Sequence, residues 1–117
     1  MSADQHEEAP VDLSYLHDYT DGDPDAMNEL LEIFHETFVE ELRHLQESLA
    51  EGHNQAWTEY AHKLKGASGY VGAEKLRAFC SQAQNMLEAS ADERKAVFAL
   101  IKQNYEIVCK FLEARET

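Results

Sequence analysis

Apolar side chains recur with helical spacing between Met27 and Leu49, and this pattern constrains the fold of the chain most. At 100° per residue, eight of these side chains fall on one stripe of a single helix. They are Met27, Leu30, Leu31, Phe34, Phe38, Leu42, Leu45 and Leu49. Asp23 can cap this helix, and Pro24 suits its first turn. The pattern therefore predicts one long amphipathic helix from Pro24 to about Glu51, which Gly52 ends.

A short helix is predicted before this one, and a second long helix after it. The segment from Asp12 to about Tyr19 is amphipathic, and its apolar contacts are Leu13, Leu16 and Tyr15. Asn54 can cap the second long helix. The apolar stripe of that helix consists of Trp57, Ala61, Leu64, Ser68 and Val71, with Tyr60 at its edge. Gly72 is expected to break it.

Two further long helices follow and complete the predicted fold. The first carries the stripe Leu76, Phe79, Cys80, Ala83 and Leu87. Ser90 and Glu93 have the spacing of a capping box at the start of the last helix, which runs to about Ala114. That helix is expected to bury Val97, Leu100, Ile101, Val108, Phe111 and Leu112. Short connections between amphipathic helices predict an all-α antiparallel four-helix bundle, up-down-up-down, with the short N-terminal helix as a lid.

Composition narrows both the domain organisation and the function. With 117 residues, the chain suits one domain; we expect a flexible acidic tail over residues 1–10 and a single helical domain over residues 11–117. A net charge of −13 argues against a nucleic-acid partner. No apolar run approaches the roughly 20 residues needed to cross a membrane, and the acidic stretch from Met1 to Ala9 lacks the basic and apolar regions of a signal peptide. Cys80 and Cys109 are expected to be reduced thiols of the core, in a cytoplasmic protein.

His62 has unusual neighbours on its predicted helix. Lys65 and Gly66 lie three and four residues after it, which places both beside the imidazole. Measured from Trp57, His62 lies near about 140° and Gly66 near about 180°, so both point away from the buried stripe. Two interior glycines, Gly66 and Gly69, destabilise a helix by on the order of 1 kcal/mol each. They permit either a close helix contact or a fraying end, or they clear a docking surface around an exposed histidine.

The stretch that contains His62 resembles a known family motif. Eight residues match the pattern His-x-Leu-Lys-Gly-x-Ser-x-x-x-Gly-Ala-x-x-Leu of histidine-containing phosphotransfer (HPt) domains. They are His62, Leu64, Lys65, Gly66, Ser68, Gly72, Ala73 and Leu76. Ala67 and Tyr70 replace a serine and an asparagine that are often found there. The resemblance implies a four-helix bundle that carries an exposed, phosphorylatable histidine on its second bundle helix.

The resemblance also implies the chemistry of the site. His62 would attack the aspartyl phosphate of a receiver domain, through Nε2, and pass the phosphoryl group to another receiver. Lys65 would offset the charge of the phosphate oxygens. Gln84, at the matching distance on the next helix, would accept a hydrogen bond from Nδ1 and orient the imidazole. The chain contains no phosphate-binding glycine loop and is too short for an added ATP-binding domain, which predicts a carrier without kinase activity.

Partners follow from the same resemblance. Gly66, Gly69 and Lys63 are expected to form the docking surface for receiver domains of response regulators and of a hybrid sensor histidine kinase. No cofactor is expected on this chain itself, and any Mg²⁺ would come with the receiver. A monomer is expected, because one bundle uses all the apolar stripes. The initial Met and the length favour a free-standing protein, although a domain cut from a hybrid kinase would look similar.

Two other classes of function compete with the carrier hypothesis. The pairs Glu32/His35, Glu41/His44 and Glu59/His62 have the spacing used in di-iron bundles. The first two pairs are nine residues apart on one helix and therefore face opposite sides, which argues against a shared metal site. The other alternative is a helical adaptor whose His62 face docks a partner without receiving phosphate.

Overall fold

Five α-helices make up most of residues 9–115, the part of the chain that the computed structural model describes. They are α1 (Ser14–Tyr19), α2 (Pro24–Glu51), α3 (Asn54–Tyr70), α4 (Glu74–Gln84) and α5 (Ala91–Arg115). These residues contain no strand. No helix in the same range is both long and apolar enough to span a bilayer. The tail predicted for residues 1–10 falls outside the description, except for Ala9 and Pro10.

Local signals set most of the helix ends. The Asp23 carboxylate accepts a hydrogen bond from the Asp25 amide at 3.3 Å, next to Pro24 in the first turn of α2. Gly52 ends α2 in the left-handed conformation, with φ of 71°. The predicted capping box at the start of α5 is present: the Ser90 amide donates to Glu93 at 2.9 Å, and the Glu93 amide donates to the Ser90 hydroxyl at 3.1 Å. Capping side chains and one left-handed glycine therefore delimit these helices without help from the core.

The predicted cap of α3 is wrong by one position. Asn54 is the first residue of the helix, and His53 occupies the cap without a side-chain hydrogen bond. The His53 amide donates to the Ser48 carbonyl at 2.9 Å and so completes the turn that closes α2. Its carbonyl accepts from the Trp57 amide at 3.0 Å, which starts α3. One residue thus serves both helices, and no position is left for a separate cap.

The four long helices form the predicted bundle. Helix α3 packs against α2 and α4, and α5 packs against α4 and α2, which closes the ring. The apolar core runs along its centre and includes Leu31, Phe34, Phe38, Leu45, Trp57, Leu64, Leu76, Cys80, Ile101 and Val108. The all-α bundle expected from the sequence is confirmed.

Two leucines assigned to the core by periodicity are exposed. Leu87 is 42% exposed and Leu100 is 38% exposed. Helix α4 ends at Gln84, so Leu87 lies in the connection to α5, beyond the helical stripe. On α5 the buried side is shared with polar residues, Arg94 and Asn104, and Leu100 lies beside it.

The segment before α2 packs over the turn between α3 and α4. Val11 and Leu16 are buried, whereas Tyr15 is 59% exposed and contributes little to the core. The Asp12 amide donates to the Gly72 carbonyl at 2.9 Å, so the chain passes directly over this turn. The N-terminal segment therefore covers the end of α3 that lies beyond His62.

Candidate functional site around His62

His62 lies on the solvent side of α3. The opposite side of the helix consists of Trp57, Ala61, Leu64 and Ser68, each with no exposed area. Since these residues fix the rotation of the helix, the imidazole is held at the surface, where His62 is exposed. An open groove runs beside it, and its lining residues are Gln55, Thr58, Glu59, His62, Lys63, Gln84 and Leu87.

Gln84 enters this groove from the last turn of α4. The Trp57 indole N–H donates to the carbonyl of the preceding residue, Ala83, at 2.8 Å and ties the end of α4 to α3. The Gln84 side-chain oxygen is buried and accepts no hydrogen bond in this structure. A buried acceptor without a donor is uncommon and destabilising until it is paired. The groove therefore holds an unused hydrogen-bond acceptor on the same side as the imidazole.

Arg94, a buried cation that the sequence did not predict, holds the connection between α4 and α5. The residue is 5% exposed. One nitrogen donates to the carbonyls of Met86 at 3.0 Å and Ala89 at 2.7 Å, on the connection that carries Leu87. Arg94 precedes Val97 by three residues and Ile101 by seven, which places it on the buried stripe of α5. This spacing is the sequence signal from which its burial could have been predicted.

The two lysines predicted near His62 lie on different sides of it. Lys65 is half-buried, three residues along α3, and is not among the groove residues. Lys63 lines the groove and is exposed. Its Nζ lies 5.5 Å from the centre of the Tyr60 ring, which stacks on His44 at 4.9 Å. Of the two cations, Lys63 shares the groove with the imidazole and is held against an aromatic face.

The two glycines of α3 differ in their surroundings. A Cβ at Gly66 would meet nothing within 4 Å, so the surface there is open. A Cβ at Gly69 would lie 3.2 Å from Cδ and Nε of Arg77 on α4. Gly66 thus fits the docking-surface interpretation, whereas Gly69 makes room for a neighbouring side chain.

Two of the three histidines of the metal-site hypothesis are engaged in other contacts. His35 contacts the Tyr105 hydroxyl through Nδ1. His44 pairs with Glu40 at 3.0 Å and stacks on Tyr60. Within residues 9–115, no group of three or more histidine, cysteine or carboxylate side chains is placed to hold a metal ion. The described geometry gives the di-iron alternative no support.

The two cysteines are both free. Burial raises the pKa of the Cys80 thiol to about 12, an effect that the nearby Ser68 hydroxyl, at 3.9 Å, only partly offsets. Burial also raises the pKa of the half-buried Cys109 thiol. Both residues are therefore protonated at neutral pH, which makes them poor nucleophiles.

Comparison with known proteins identifies one family. A family model described as Hpt domain matches residues 29–110, more than two thirds of the chain. The match covers His62, Lys65 and Gln84, together with all the residues that line the groove. No curated protein and no solved structure matches the chain.

Proposed function

The chain belongs to the Hpt domain family, whose members transfer phosphoryl groups through a histidine in two-component phosphorelays, and we propose that His62 is the phosphoryl acceptor of this one. The observation that carries the proposal is the position of His62. It is exposed on a helix whose other side is wholly buried, and it shares a groove with the unpaired oxygen of Gln84. A partner can reach the imidazole without unfolding any part of the bundle.

The reaction needs one nucleophilic nitrogen and one fixed proton. Nε2 of neutral His62 attacks the phosphorus of a receiver aspartyl phosphate; an N–P bond forms, the acyl phosphate O–P bond breaks, and the aspartate leaves as a carboxylate. The proton stays on Nδ1, where the Gln84 oxygen is the acceptor available in the groove. Lys65 offsets the charge of the phosphate oxygens as the group moves. The reverse sequence passes the group to a second receiver.

The partners we propose are the receiver domains of response regulators and of a hybrid sensor histidine kinase. Mg²⁺ would be bound by the carboxylates of the receiver, and this chain would act as a monomeric carrier without kinase activity. The exchange would take place in the cytoplasm, an environment that suits the free thiols of Cys80 and Cys109.

Phosphotransfer from a ³²P-labelled receiver tests the proposal directly. Wild type and the His53→Gln variant should acquire an acid-labile, alkali-stable label, whereas His62→Gln should acquire none. His53 is a matched control, because it is a second exposed histidine next to the same helix. If His62→Gln binds receivers and the wild type never becomes labelled, the chain is a docking adaptor. A label on His62→Gln would place the acceptor at another residue.

A further inference from the structure

Positive charge is concentrated in one part of this acidic chain. The chain carries a net charge of −13, yet residues 62–77 include four cationic residues and a single acidic one, Glu74. The four cations are Lys63, Lys65, Lys75 and Arg77. Lys63 and Lys65 lie on α3 beside His62, whereas Lys75 and Arg77 point to different sides of α4 at its start. The net negative charge of the molecule repels acidic partners at long range, and the cations of residues 62–77 reduce this repulsion locally.

Arg77 is the cation of α4 that the structure directs to the His62 side. Its Cδ and Nε lie across Gly69, within 3.2 Å of the place where a Cβ would be. Gly69 follows His62 by seven residues on α3, and Arg77 precedes Gln84 by seven on α4. Seven residues are close to two helical turns, so Arg77 and Gln84 lie on one side of α4, about 10 Å apart along its axis. The pairs His62/Gln84 and Gly69/Arg77 therefore lie along one line of contact between the antiparallel helices α3 and α4, which we call the α3–α4 seam.

The guanidinium of Arg77 is free to contact a partner. Its only ion pair among residues 9–115 is with Glu74, at 3.6 Å, and the two side chains are 45% and 70% exposed. An exposed pair three residues apart on a helix is weak, since solvent screens it. A carboxylate of a partner can therefore replace Glu74 as the ion-pair partner of Arg77 at little cost in free energy.

We propose that Arg77 is a specificity-determining residue for docking, which contacts an acidic side chain on the receiver about two helical turns from the transferred phosphoryl group. This inference rests on the function proposed above. Gly69 contributes to this placement, because a Cβ there would lie 3.2 Å from Cδ and Nε of Arg77 and would displace them by a few tenths of an ångström. The arrangement lets a strongly acidic carrier approach a partner whose phosphorylation pocket is itself acidic. Arg77 acts on encounter and orientation, and it does not touch the reacting atoms.

The test compares Arg77→Gln with Lys75→Gln in transfer assays over a range of phosphorylated receiver concentrations. Lys75 is exposed on the same helix and lies about 160° away from Arg77 around its axis, so it is a control for the loss of one charge. Arg77→Gln should raise the receiver concentration for half-maximal rate by about threefold to fivefold, as expected for a rim charge. The plateau rate should stay the same. Lys75→Gln should behave as wild type, and added salt should reduce the difference between the variants.

Two more variants test the geometry. Gly69→Ala should weaken docking less than Arg77→Gln does, because the Arg77 side chain has to move by only a few tenths of an ångström. The double variant should be no weaker than Arg77→Gln alone. Glu74→Gln should strengthen docking, because it releases Arg77. Circular dichroism on each variant checks that the helices are retained.

The outcomes separate this inference from the proposed function. If labelled wild type forms and Arg77→Gln matches Lys75→Gln, the docking role of Arg77 is wrong and the carrier function stands. A lowered plateau rate at unchanged half-saturation would also contradict it, since that result places Arg77 in the chemical step. If no receiver labels the wild type, the proposed function and this inference both fail.

Discussion

Gly72 lies where the N-terminal segment passes close over the turn between α3 and α4, and replacing it by alanine should detach that segment. Its φ of 74° lies in the left-handed region that favours glycine. A Cβ at this position would meet the Asp12 carbonyl oxygen at a distance of 1.9 Å, with the Asp12 carbonyl carbon at 2.8 Å. Both neighbours are backbone atoms, so no rotamer change can relieve the clash. The segment that carries Asp12 has to move.

The size of the effect follows from what this segment buries. Placing alanine in the left-handed region costs about 1–2 kcal/mol by itself. Val11 and Leu16 are 4% and 0% exposed, and each buried side chain of this kind contributes about 1.5–3 kcal/mol. Complete release of both would add up to about 6 kcal/mol, while partial release keeps some contact with the bundle. We therefore expect Gly72→Ala to lower the free energy of unfolding by about 3–4 kcal/mol.

Gly52→Ala is the matched control for this measurement. Gly52 has almost the same φ, 71°, but a Cβ there meets nothing within 4 Å. Urea unfolding followed by circular dichroism should show a loss of about 1–2 kcal/mol for Gly52→Ala, from backbone strain alone. If Gly72→Ala costs no more than Gly52→Ala, the segment is not held against this turn and the reasoning is wrong. His62 should still accept phosphate in both variants, since α3 remains in the bundle.

Further predictions concern the core, the site and the Cys80 thiol. Phe38 is fully buried, so Phe38→Ala should destabilise the fold by about 3–5 kcal/mol in the same urea assay. Lys65→Ala should slow phosphotransfer about tenfold and Gln84→Ala about threefold, which are the losses expected for a charged and a neutral hydrogen bond. Unfolding midpoints are measured in parallel. Unchanged kinetics in one of these variants would contradict the role assigned to that residue. Iodoacetamide should alkylate Cys80 only after unfolding, as checked by mass spectrometry at pH 8, because burial raises its pKa to about 12. Between pH 9 and 12 the unfolded chain loses the Cys80 proton first, so stability should fall as pH rises, and less steeply in Cys80→Ala.

Sequence was enough to predict the helices and several of their ends. Capping at Asp23, the glycine end at Gly52 and the box of Ser90 with Glu93 each depend on residues a few positions apart. Periodicity also placed the buried side of α3, and with it the outward direction of His62. Such local interactions are available in the sequence because they form within one helix or at its end.

Only the tertiary structure decided how the helices meet. Leu87 and Leu100 fit an apolar period but are exposed, because burial depends on where α4 ends and which side of α5 faces the bundle. Arg94 is buried because the carbonyls of Met86 and Ala89 lie within its reach. The partners of Gly69, Gly72 and Gln84 likewise come from other elements of the fold. These contacts depend on helix register and rotation, which the packing of the whole core sets and a single stretch of sequence does not.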